Sequence, residues 1–168
     1  MAGWARALGA LVVVLAPCGA EAQFTMVPPP QCPVPVSATS TTEEAYRQEA
    51  SQHLYECFPG RVYLGALPPL VYGVMTVEAE IDDRGGLVAL NVVRKPAAQE
   101  IEPWLLALIR RAAPYPPPIR LPGKSARLVE TFFVDRSGLF QTRSLTDVSK
   151  GVPLPAEGAS TLSATTPP

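Results

Sequence analysis

Proline decides where regular structure cannot run in this chain. There are 20 among 168 residues, about 12 % against a usual level of about 5 %. They gather at 28–35, 114–122 and 153–168, and the rest stand singly or in pairs. Each fixes φ and removes a backbone donor, so helices and interior strands must lie between the clusters. The stretch Val27–Val36 is therefore expected to be extended, as part of a lead-in over 23–41. After Asp147 the periodicity stops and Ser, Thr, Ala and Pro dominate, so 148–168 reads as a disordered tail. Between them, 42–147 is the span expected to form one domain. The chain as a whole is 47 % apolar, enough for a single core. With 14 basic residues against 15 acidic, and a net charge of −1, the whole chain lacks the clustered cations that phosphate neutralisation requires. A nucleic-acid partner is not expected.

The first 22 residues have the layout of a secretory signal peptide: Arg6, an apolar run over Ala7–Ala16, and Ala20-Glu21-Ala22 as a small-residue cleavage site. Cleavage after Ala22 and export to the periplasm are expected. Two other readings stay open. One is an uncleaved anchor, although the run is well short of the ~20 residues a spanning helix needs. The other is lipidation of Cys18, the one route by which a membrane enters the reading, although Pro17 before it fits such signals poorly. Export leaves Cys32 and Cys57 as an even pair in an oxidising compartment, where a disulfide is expected. Metal binding is the rival, but two cysteines and the sole histidine, His53, lack ligand-pair spacing and fall short of four ligands. No metal or cofactor is expected.

The elements follow from capping and periodicity. Thr41 and Glu44 form a candidate capping box for a helix over about 42–57, with Tyr46, Ala50, His53, Leu54 and Cys57 on one face and Pro59-Gly60 as its stop. Val71–Asp82 alternates apolar and polar residues, Asp82–Gly86 supplies a turn, and Leu87–Arg94 completes a hairpin. A second helix is expected within Ala97–Ala113, on a stripe of Ile101, Trp104, Leu105, Leu108, Ile109 and Ala112. Pro114–Pro118 then redirects the chain into a third strand, Arg127–Asp135, and a fourth, Leu139–Leu145. The expected fold is α+β: a two-layer sandwich in α-β-β-α-β order, with an antiparallel sheet and an extra C-terminal hairpin strand.

No constellation points to catalysis. His53 lies among apolar helix residues and reads as a hydrogen-bonded core histidine. Asp82 and Asp83 read as turn residues, and Gly85-Gly86 joins strand to strand, which is not a phosphate cradle. An enzyme of unknown type remains an alternative without support. Binding is the stronger class, because an open sheet presents unpaired backbone groups at its edges and can add a partner's strand. The candidate residues are Leu128, Glu130, Phe132 and Val134 on the third strand and Phe140 and Thr142 on the fourth. The expected partner is an envelope protein or a second copy of this chain. Against this, Arg143 and the shortness of the last strand would blunt the edge.

The run from Gly73–Asp82 through Asp83-Arg84-Gly85-Gly86 and Leu87–Arg94, then Leu108–Ala113, Pro114-Tyr115-Pro116-Pro117-Pro118 and Phe132-Phe133, resembles the C-terminal domain of the TonB/TolA proteins. The similarity spans about 42–135, and Tyr46 with Ala50-x-x-His53 looks more like the TolA type, which opens with a helix. The resemblance implies a periplasmic domain that binds partners without a cofactor. It also implies strand addition beside the third strand, whose counterpart here is Leu128–Val134. Energy transducers carry an uncleaved membrane helix and a long spacer. A short cleavable signal and a short lead-in instead imply a stand-alone relative, with lipid-anchored assembly factor as a further alternative.

Overall fold

A threonine hydroxyl starts the first helix. In this computed structural model, which describes residues 24–63 and 71–146, Thr42 Oγ1 accepts from the amide of Ala45 at 3.2 Å and caps α1, Glu43–Cys57. The cap lies one residue beyond the expected Thr41. The signal segment, the residues 64–70 and the tail expected over 148–168 lie outside the described residues. Helix α1 buries Tyr46, Ala50, Ser51, His53, Leu54 and Cys57 on one side.

Strand β1, Gly73–Ile81, alternates without exception: Gly73, Met75, Val77, Ala79 and Ile81 are buried and the residues between them only half so. β1 is paired on both sides, antiparallel to β2, Leu87–Arg94, and to β3, Ala126–Val134. The full sheet is β2-β1-β3-β4, with β4 only Phe140–Thr142. The expected α+β architecture with an antiparallel sheet is what forms.

Both hairpins close on the same device. Asp82 Oδ1 accepts from the amides of Arg84 and Gly86 at 2.9 and 2.7 Å, and Asp135 Oδ1 from those of Ser137 and Leu139 at 2.8 and 2.9 Å. The third residue after each aspartate is a glycine at positive φ, +83° for Gly85 and +76° for Gly138. Aspartate side chains favour such turns, and glycine takes the left-handed conformation without a steric penalty. At Gly85 there is also no room for a side chain, since a Cβ would meet the Tyr115 carbonyl oxygen at 1.9 Å.

Helix α2, Ile101–Arg111, begins four residues later than the start of the expected Ala97–Ala113 span and buries Ile101, Trp104, Leu105, Leu108 and Ile109. Pro103 falls in its first turn, where a missing donor costs little. The proline-rich segment after it is held by two tyrosines: Tyr115 donates to Ile109 O at 2.9 Å and Tyr46 to Pro116 O at 2.8 Å.

The lead-in is lashed to the domain. Phe24 is buried, stacked on Tyr72 and edge-on to Trp104, with ring centroids 5.8 and 5.2 Å away. Gln31 N donates to Cys57 O at 2.7 Å, and Ala38 N to Pro117 O at 2.9 Å. The expected disulfide joins Cys32 to Cys57 across 25 positions. Closing a loop of this size in the unfolded chain stabilises the fold by roughly 3 kcal/mol.

Candidate functional site

Strand β4 is too short to cover β3. It pairs with only three residues, Phe132↔Thr142, Phe133↔Gln141 and Val134↔Phe140. At Arg143 the chain turns into a four-residue helix, α3, Arg143–Thr146, so the expected fourth strand to Leu145 stops at Thr142. Among the described residues, the segment Ala126–Thr131 of β3 therefore has β1 on one side and no strand on the other.

Side chains occupy part of this half-edge. Arg47 Nη1, from α1, donates to Val129 O at 3.3 Å, and Thr131 N donates to Glu130 Oε1 at 2.8 Å. Glu130 is only 3 % exposed. Its carboxylate also accepts from Ser51 Oγ at 3.1 Å and from Ser144 N at 3.3 Å, while Ser144 Oγ donates to Ser51 Oγ at 2.9 Å. A buried carboxylate needs such donors to offset its lost hydration. Beside it opens a polar cleft of about 300 Å³ lined by Arg47, Gln48, Val129, Glu130, Thr131, Arg143 and Ser144. Tyr55 holds the end of β4, where its phenol accepts from Thr142 N at 2.8 Å and burial raises the phenol's pKa above the usual value.

The six residues expected to meet a partner lie elsewhere than at the surface. Leu128, Glu130, Phe132, Val134, Phe140 and Thr142 all face inward, and Leu128, the most exposed of them, is 8 % so. The pleat sends alternate side chains to opposite faces, and this is the core set. What β3 turns outward is Arg127, which pairs with Glu78 and Glu80 at 3.4 and 3.0 Å, together with Val129 and the half-buried Thr131. Arg143, expected to blunt the strand, lines the cleft instead. Arg47, Ser51 and Ser144 were not singled out from the sequence. The available signal was Glu130, a charge at an inward position of a strand, which demands polar neighbours.

A second cluster lies where α1 ends. His53 is 3 % exposed, and its Nε2 lies 2.9 Å from Ala112 O and 3.4 Å from Cys57 Sγ. A carbonyl only accepts, so Nε2 carries the proton and His53 is the hydrogen-bonded core histidine its neighbours implied. Cys32 Sγ and Cys57 Sγ lie 3.8 and 4.0 Å from the same carbonyl oxygen. No helix among the described residues is long and apolar enough to cross a membrane. Comparison with protein-family models, characterised proteins and solved structures gives no match to this chain.

Proposed function

We propose that this chain is a periplasmic protein-interaction module of TonB/TolA C-terminal type, binding an envelope protein by adding its strand to the β3 half-edge Ala126–Thr131. The observation that carries the reading is that half-edge: a regular strand, in unbroken register with β1, with no further strand beside it among the described residues because β4 ends after three residues. Main-chain groups of such an edge give affinity, and the cleft beside it gives side-chain selectivity. Strand addition displaces the Arg47 guanidinium from Val129 O, a half-buried side chain giving way to a backbone donor.

Val129→Pro tests this directly. The carbonyl of Val129 faces away from β1, toward Arg47. Within a strand residue the amide points the same way, so proline there removes an edge donor and leaves the β1–β3 ladder intact. In a crosslinking pull-down from the cell envelope, the wild-type protein captures its partner and Val129→Pro loses it, with an unchanged melting curve. Capture of the same partner by the folded variant would refute strand addition here.

A further inference from the structure

Four potential ligand atoms converge at the end of α1: Cys32 Sγ, Cys57 Sγ, His53 Nε2 and Ala112 O. The two sulfurs and the imidazole nitrogen all lie within 4.8 Å of one another. A tetrahedral Zn²⁺, with bonds of ~2.3 Å to sulfur and ~2.1 Å to nitrogen or oxygen, holds its ligand atoms roughly 3.4–3.8 Å apart. The His53 Nε2–Cys57 Sγ distance is 3.4 Å, and Ala112 O lies 3.8 and 4.0 Å from the two sulfurs and 2.9 Å from Nε2. The three distances that involve a sulfur are near the spacing the ion needs. The two sulfurs, bonded to each other in the disulfide, must separate, and His53 Nε2 and Ala112 O, now hydrogen-bonded at 2.9 Å, must move apart by about 0.5 Å as the metal replaces the proton between them.

We propose that reduction of Cys32–Cys57 opens a Zn²⁺ site made of these four atoms, so that the protein alternates between a disulfide-closed form and a zinc-held form. The parts can move as required. Cys32 lies in the irregular lead-in, free of helix and strand, while Cys57 is the last residue of α1. The Gln31 N–Cys57 O hydrogen bond ties the two segments independently of the sulfurs and keeps the thiols together once the bond is cut. Charge selects the ion. Two thiolates with Zn²⁺ make a neutral unit, which suits a site where Cys57 and His53 are buried, whereas a monovalent ion leaves a buried negative charge. The Ala112 oxygen, on losing the His53 N–H, stays satisfied as the fourth ligand.

The chemistry balances with a dithiol reductant, such as a thiol–disulfide oxidoreductase. The dithiol gives two electrons and two protons, its own sulfurs become a disulfide, and Cys32 and Cys57 become thiols. Zn²⁺ then displaces the two thiol protons and the Nε2 proton to solvent, and Nδ1 of His53 takes up one, leaving the ring neutral. The site is independent of the β3 half-edge.

The test uses the mature protein reduced with a phosphine, which leaves as the phosphine oxide. Zinc is measured by competition with a chromophoric chelator, and the fold by the near-ultraviolet circular dichroism of the aromatic core. The reduced protein is expected to take one equivalent from the chelator and the oxidised protein none. Co²⁺ in place of zinc is expected to give thiolate charge-transfer and tetrahedral d–d bands. His53→Gln keeps a donor for Ala112 O but supplies no imidazole, and should weaken binding by about 100-fold or more. The proposal is overturned if folded, reduced protein leaves zinc with the chelator, or if His53→Gln binds as tightly as the wild type. It is equally overturned if the reduced protein loses its near-ultraviolet signal and zinc does not restore it.

Discussion

The two long edges of the sheet are guarded in different ways. On β2 the register with β1 breaks twice, skipping Val93 between Arg94 and Val92 and Val88 between Ala89 and Leu87. The two skipped residues are the bulged ones, and they stand 60 % and 68 % exposed. Bulges twist an edge away from regular pairing, so β2 offers little to an incoming strand despite its apolar side chains. On β3 the register is continuous from Gly73↔Val134 to Ile81↔Ala126. Its half-edge is guarded by side chains, Arg47 on Val129 O and Glu130 on Thr131 N. One edge is closed by its backbone; the other is closed by side chains.

The contrast can be broken first in the core. Phe132→Ala, on the buried side of β3, is expected to cost about 3–5 kcal/mol in urea unfolding, while Val93→Ala on the β2 bulge should stay within about 0.5 kcal/mol. Comparable losses would mean that β2 packs as tightly as β3. Next in size, Glu130→Ala strands the donors of Ser51, Thr131 and Ser144, for an expected loss of about 1–3 kcal/mol by the same measurement. Glu80→Ala, which removes one exposed partner of Arg127, should cost at most about 1 kcal/mol. Smallest is the effect at Tyr55, which holds the end of β4. Burial raises the pKa of Tyr55, as it does for Tyr46 and Tyr115. The folded protein therefore keeps protons that the unfolded chain releases near pH ~10, and stability is whole below that pH and falls as pH rises above it. Midpoints of urea unfolding between neutral and strongly alkaline pH should show a shallower fall for Tyr55→Phe. An identical slope would remove Tyr55 from the alkaline response.

Periodic features were legible in the sequence. The β1 alternation, the Asp-x-x-Gly turn and the stripe of α2 all depend on residues near each other in the chain. What the sequence did not reveal depends on contacts through space. Thr42 in place of Thr41 is a choice between adjacent, chemically identical caps. β4 stops at Thr142 because the following residues form a helical turn, with Ser144 bonded to Ser51 and Glu130, partners far away in sequence. At the cysteines, the missing fourth donor is the carbonyl of Ala112, and a backbone atom has no signature in the alphabet of side chains.

The lashed lead-in also sets how the molecule bears load. If the chain is pulled at its N-terminal end, the first stretch can peel until Phe24 leaves its place between Tyr72 and Trp104 and tension reaches Cys32. There the covalent bond carries the force straight to Cys57, bypassing the cap and body of α1. The helix cannot be unwound from its start, and force enters the domain where His53, Cys57 and the Ala112 carbonyl meet. The oxidised protein thus takes the pull at Cys57; only with the bond opened and no metal in its place would the same pull reach α1 at Thr42.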